Sequence, residues 1–216
     1  MELIPTVIST GYAAGLNAYG TILMLNLLGR AGFGEVPEPL MGDGVLYGAL
    51  VMYAIEFVTD KIPLVDNVWD ALHTLIRPAI GSLIGVEFAQ FDQAVGAEEV
   101  LAGGAGGSTA LVSHGLKAGV RLGINASPEP VSNIVASVTE DGIVAVVIAL
   151  VLKEPLVALA IVIVLLGIGI AAVIWLRKRI KIAMEKNKER RRQRAGPLIE
   201  EPSRDPPDRD PPAGPG

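Results

Sequence analysis

The stretch PLVALAIVIVLLGIGIAAVIWL, residues 155–176, carries no ionisable side chain, and Arg177-Lys178-Arg179 follows it directly. A helix rises 1.5 Å per residue, so about 20 apolar residues cross a hydrocarbon core roughly 30 Å thick. The stretch is long enough, and Pro155 suits a first helical turn. The rest of the body is of the same kind. Half of the 216 residues are apolar, 19% are charged, and cysteine is absent. A polar, disordered chain is excluded for most of the length. So are disulfide scaffolds, Cys-ligated zinc or iron–sulfur sites, and thiol nucleophiles.

Residues 3–29 form a second uncharged run, ionisable only at Tyr12 and Tyr19. One span is expected there. The run is too long and lacks the basic start of a cleaved signal peptide. Residues 44–59 are apolar except for Glu56, and 131–152 except for Glu140-Asp141 and a few amides and hydroxyls. Residues 67–89 and 100–125 carry Asp70, His73, Arg77, Glu87, His114, Lys117 and Arg121. Those two are too polar to face lipid all round, so they are buried spans, or 67–89 re-enters or lies at the interface. The expected fold is all-α, a polytopic transmembrane bundle of about six helices over residues 1–176.

The charge is divided unevenly. Residues 1–176 hold six Lys/Arg against sixteen Asp/Glu, a balance of −10, and residues 177–216 hold twelve against seven, +5, which gives the net −5. Basic residues next to a last span mark a cytoplasmic end. With six spans the N-terminus is cytoplasmic too, although Arg30 and Lys153 then fall outside. Residues 177–195 read as a basic juxtamembrane helix drawn to anionic lipid, a better account than nucleic-acid binding. Residues 196–216 hold seven of the fifteen prolines and read as a disordered tail.

Two patterns concern packing. Gly15-Leu16-Asn17-Ala18 is echoed by Gly115-Leu116-Lys117-Ala118, and Pro37-Glu38-Pro39 by Pro128-Glu129-Pro130. The order suits a 3+3 inverted repeat of residues 1–95 and 96–176, the plan of many secondary transporters. Chance recurrence of Gly, Pro and Leu in an apolar chain explains it equally well. Gly-x-x-x-Gly occurs at 11/15, 44/48, 81/85, 103/107, 115/119 and 119/123, the spacing that lets helix backbones approach in lipid.

The candidate site comes from polar residues at helical spacing. Asp66, Asp70, His73 and Arg77 are spaced 4, 3 and 4, and His114, Lys117, Arg121 and Asn125 are spaced 3, 4 and 4. Each set shares one helix face. Glu56, Asp60 and Lys61 close the second span. Charges at bilayer depth are costly unless paired or hydrated, so the stripes are expected to face each other, Asp66 and Asp70 toward Lys117 and Arg121. They either line a polar cavity that binds an anionic group and moves protons, or form ion pairs that fix helix register, or sit at headgroup depth. His73, His114 and Asp70 are suitable metal-ligand types, but two histidines on separate helices do not make a metal spacing. No metal, cofactor or catalytic residue is expected: Ser108, Thr109 and Ser113 near His114 lack a Gly-x-Ser-x-Gly setting, and His-Glu-x-x-His is missing. Trp69 and Trp175 suit interfacial anchors.

One block runs Glu56-Phe57-Val58-Thr59-Asp60-Lys61-Ile62-Pro63, Val65-Asp66, Trp69-Asp70, His73-Thr74, Ile76-Arg77-Pro78. A second runs His114, Lys117-Ala118, Arg121, Asn125-Ala126-Ser127-Pro128-Glu129-Pro130, Ser132-Asn133. With Ala14-Gly15-Leu16-Asn17-Ala18 these blocks resemble a bacterial integral-membrane family catalogued only as a domain of unknown function, over roughly residues 3–175. The resemblance implies a polytopic inner-membrane protein and no activity. On the ionisable stripes inside apolar helices and the possible repeat, the expectation is a small transporter, permease or lipid-translocating protein of the bacterial inner membrane, multi-pass, with a cytoplasmic C-terminus. Its partners would be the bilayer, anionic lipid, and a small solute or lipid. A homo-oligomer is compatible. A non-transporting membrane scaffold is the alternative, and a membrane-embedded enzyme the third.

Overall fold

The computed structural model describes residues 2–62, 65–124 and 130–195, with side chains left out at 66, 67, 130 and 192–195. Seven α-helices and no strands occur among the described residues. They are α1 (Leu3–Leu16), α2 (Ala18–Arg30), α3 (Asp43–Thr59), α4 (Val65–Phe91), α5 (Ala97–Ile124), α6 (Pro130–Lys153) and α7 (Pro155–Ala195), with a short 3-10 turn at Glu38–Met41. The fold is all-α as expected. Among the described residues two helices, Val131–Lys153 and Pro155–Arg191, are long and apolar enough to cross a membrane by length and composition, their most apolar 18-residue stretches having mean hydropathies of 2.2 and 3.2.

The chain divides into two units, Met1–Arg177 and Lys178–Gly216. In the second, α7 continues through the basic stretch, and Lys178–Arg191 is exposed. The expected Pro-rich tail, 196–216, lies outside the described residues.

One expectation is corrected. Residues 3–29 are not a single helix: Asn17 is extended, with φ −150° and ψ 101°. Its side-chain Oδ1 accepts from the Gly20 N–H at 2.7 Å and so caps α2. This joint raises the count from six helices to seven. Residues 67–89 fall in one 27-residue helix, α4, which continues through Pro78 despite the backbone N–H that proline lacks. The two echoed segments fold differently, since the chain unwinds at Asn17 but stays helical through Lys117.

In the first unit, the inner faces of α4 and α5 each have two parts. On α4, Asp70, His73 and Arg77 precede Gly81, Ile84, Gly85 and Phe88. On α5, Gly103, Gly106 and Ala110 precede His114, Lys117 and Arg121. The helices run antiparallel, so glycine meets glycine at one end and charge meets charge at the other. A Cβ on Gly81 would lie 2.8 Å from the Gly106 oxygen, and one on Gly85 2.6 Å from the Ala102 oxygen. Helix α1 joins the seam: a Cβ on Gly11 would lie 2.5 Å from the same Gly106 oxygen. Four of the expected Gly-x-x-x-Gly pairs thus sit at close contacts: 11/15, 81/85 and 103/107 in this seam, and 119/123 against Val173 and Leu176 of α7. Gly44 and Gly48 have nothing near them.

Large aliphatic side chains are exposed on the outer faces of the helices of the first unit. Leu75 is 81% exposed and Leu83 62%. On α5 and α6, Leu101, Leu111, Leu122, Val135 and Val146 are also exposed. Among the described residues seventeen polar or charged ones are buried, including Glu56, Asp60, Asp70, Arg77, Lys117 and Arg121.

Candidate functional site

The site is built where four helices bring ionisable residues to one place. Helix α3 ends with Glu56 one turn before its capping residue Asp60. Helix α4 supplies Asp70 and Arg77, α5 supplies Lys117 and Arg121, and α6 supplies Glu140. Arg77 Nη2 lies 2.7 Å from Glu56 Oε1 and 3.0 Å from Asp70 Oδ1. Lys117 Nζ lies 2.8 Å from Asp60 Oδ2, 3.3 Å from Glu140 Oε2 and 3.8 Å from Asp70 Oδ1. Arg121 Nη2 lies 2.7 Å from Glu140 Oε2 and 3.4 Å from Asp60 Oδ2. Away from water such pairs are held mainly by one another, and removing one member leaves a stranded charge.

The joint at Asn17 is part of this knot. A helix end leaves carbonyls without partners inside the helix, and its dipole favours cations there. At the end of α1, Arg77 Nη1 donates to the Gly15 carbonyl at 3.3 Å and Lys117 Nζ to the Leu16 carbonyl at 3.0 Å. Ser113 Oγ donates to the Tyr12 carbonyl at 3.0 Å. Two buried cations thus serve the carboxylates and the end of α1 together. Asn17 Nδ2 also donates to Asp141 Oδ1 at 3.0 Å. Arg121 Nη1 donates to the Asp60 carbonyl at 2.7 Å and to Asn133 Oδ1 at 3.0 Å.

The histidines flank the knot. His73 Nδ1 faces the Trp69 carbonyl at 2.8 Å, and a carbonyl only accepts, so Nδ1 carries the proton. Its Nε2 then accepts from the Tyr19 hydroxyl at 3.1 Å. The ring stacks on Trp69 with centroids 4.4 Å apart, so Trp69 packs on His73. His114 Nδ1 accepts from Arg77 Nη1 at 2.8 Å. Among the described residues no group of three or more His, Asp or Glu side chains could hold a metal ion.

Of the expected site residues, Glu56, Asp60, Asp70, Arg77, Lys117 and Arg121 come together, with His73 and His114 beside them. Lys61 stands apart: its Nζ lies 3.0 Å from the centre of the Phe57 ring and 3.2 Å from Ser137 Oγ. Partial burial lowers its pKa below the ordinary lysine value, while Asp141 and Asp60 act the other way. The Asp66 side chain and Asn125 lie outside the described residues.

Sequence reasoning missed a third stripe. Asn133, Ser137 and Glu140 on α6, spaced 4 and 3, share the inner face. The same spacing rule applied to residues 131–152 would have found it. Asn17 and Tyr19 were also missed.

Fold and site together define an all-α protein organised around a buried ionic knot. The chain belongs to the family described as Domain of unknown function (DUF4126), which matches residues 4–176. No curated protein and no solved structure matches the chain.

Proposed function

We propose that the chain is a polytopic integral-membrane protein of the bacterial inner membrane, with its C-terminus in the cytoplasm, that works as a small proton-linked transporter or permease. The observation that carries the reading is the inverted distribution of polarity, with ionised side chains inside and large aliphatic ones outside. Water would reward the opposite arrangement. Lipid rewards this one, because charges in hydrocarbon are expensive and Leu or Val on the surface costs nothing. Helices α4, α5 and α6, at 27, 28 and 24 residues, are each longer than the roughly 30 Å a bilayer core requires. The basic residues that follow residue 176 support the orientation and contact with anionic lipid.

Transport is supported by the joint at Asn17. A helix interrupted inside an apolar body, with the freed carbonyls pointing at charged groups, is how many transporters build their sites. The three cations are already held by carboxylates, which favours proton coupling over direct binding of an anion. The test is uptake of a panel of labelled solutes into vesicles holding the purified chain under an imposed pH gradient. Uptake of at least one solute should need both the protein and the gradient, and should fall at least several-fold in a folded Asp60→Asn variant. If no solute moves with correctly inserted protein, the transport reading fails.

One observation favours a second reading, a non-transporting scaffold: every cation of the knot is bonded directly to a carboxylate, so the knot is complete without a ligand. Deleting residues 178–216 separates the two. A scaffold that recruits through its basic end loses its partners, and a transporter keeps its flux.

A further inference from the structure

A cavity of about 240 Å³ opens between α4 and α5 on the flank of the knot, lined by Asp70, Ala71, Thr74, His114, Ala118 and Leu122. Asp70 is 4% exposed. Its ion-pair distances to Arg77 and Lys117 are 3.0 and 3.8 Å, yet neither carboxylate oxygen has a hydrogen bond among the described residues. The other polar groups in the wall are engaged. Because His114 Nδ1 accepts from Arg77, the ring proton sits on Nε2, which faces Thr74 Oγ1 at 3.3 Å. The Thr74 hydroxyl donates onward to the Asp70 main-chain carbonyl at 3.1 Å. His114 is therefore neutral, and a second proton on Nδ1 would face a guanidinium.

The charge count points the same way. Among the described side chains the knot sets Glu56, Asp60, Asp70 and Glu140 against Arg77, Lys117 and Arg121, an excess of one carboxylate. An unbalanced buried charge is costly, and one proton removes it. Asp70 is the carboxylate the knot can spare. Once it is neutral, Arg77 keeps Glu56 at 2.7 Å, Lys117 keeps Asp60 at 2.8 Å, and Arg121 keeps Glu140 at 2.7 Å.

We propose that this cavity is the route by which a proton reaches the knot and that Asp70 is the carboxyl that takes it. Hydronium in the cavity gives its proton to an Asp70 oxygen, leaving a neutral carboxylic acid and water. The groups facing Asp70 are His73 and Arg77 on its own helix, His114 and Lys117 from α5, Glu56 and Asp60 from the end of α3, and Glu140 from α6 beyond Lys117. A metal ion is poorly served here, since hard cations take six or more oxygens and the side chains of the wall offer only those of Asp70 and Thr74. The inference rests on the proton-linked reading for its purpose, and its test does not depend on flux.

Dicyclohexylcarbodiimide modifies protonated carboxyls in apolar surroundings. It is applied to the full chain in phospholipid vesicles, and peptide mass spectrometry locates the product. Label should concentrate on Asp70 and rise several-fold as the pH is lowered. It should fall several-fold in Ala118→Phe, or in Ala71→Leu if that variant folds better, since both fill the cavity without touching a charge. Sodium and potassium should leave it unchanged. Label on Glu56, Asp60 or Glu140 instead, indifference to pH, or protection by sodium overturns the proposal. Label at Asp70 without solute uptake leaves this inference standing and removes the transport reading. Solute uptake with label elsewhere does the reverse.

Discussion

Leu75 and Arg77 stand two residues apart on α4, and Leu75 is 81% exposed while Arg77 is fully buried. Neighbours at that separation point about 200° apart around a helix. Their assignment to outside and inside is the reverse of what water selects.

Leu75→Lys reads out which solvent surrounds α4. In a bilayer the change places a charge among acyl chains at a cost of about 3 kcal/mol or more. Membrane insertion, scored by glycosylation mapping or protease protection, should drop sharply. A fully inserted, stable Leu75→Lys protein would mean that α4 does not face lipid.

Removing one cation should cost more than removing a pair. Lys117→Met takes from Asp60 its nearest cation and from the Leu16 carbonyl its side-chain donor, and breaking a buried pair typically costs about 3–5 kcal/mol. Denaturant unfolding in detergent measures it. The double variant Lys117→Met with Asp60→Asn should recover a large part of that loss. A single-variant loss below about 1 kcal/mol would mean water already reaches the pairs.

The glycine seam predicts a contrast between two equivalent substitutions. Gly106→Ala pushes a Cβ into the Gly81 carbonyl and should destabilise by about 1–3 kcal/mol through overpacking. Gly48→Ala meets nothing and should be neutral or slightly stabilising, because alanine is the better helix former. Equal effects at the two positions would contradict the close approach of α4 and α5.

Asn17→Ala removes the cap of α2 and a partner of Asp141 together. Cap loss alone costs about 1 kcal/mol, and the stranded Asp141 oxygen adds to it. Asn17→Asp keeps the cap but sets two carboxylates face to face, so it should be worse than Asn17→Ala above neutral pH and recover on acidification. A pH-independent difference between the two variants would count against the 3.0 Å contact with Asp141.

Much of the fold and of the knot is legible in the amino-acid sequence alone. The 4-3-4 and 3-4-4 spacings around Asp70 and Lys117 are properties of a helix, and they put each set of charges on one face. The joint at Asn17 is not legible in this way. No proline or charge marks it, and a lone asparagine in an apolar run reads as a tolerated polar residue. What holds the chain extended there comes from Arg77 and Lys117, far along the sequence. Glu140 is visible as a blemish in an apolar run, but its pairing with Arg121 is set by how α5 and α6 meet, which spacing within one helix cannot state.

The end of α1 has a consequence for assembly. Its last carbonyls are satisfied by side chains that the ribosome makes about 60 and 100 residues later. Helix α1 therefore cannot finish its own terminus as it is made. It must wait until α4 and α5 arrive, so its end settles only after segments synthesised well after it.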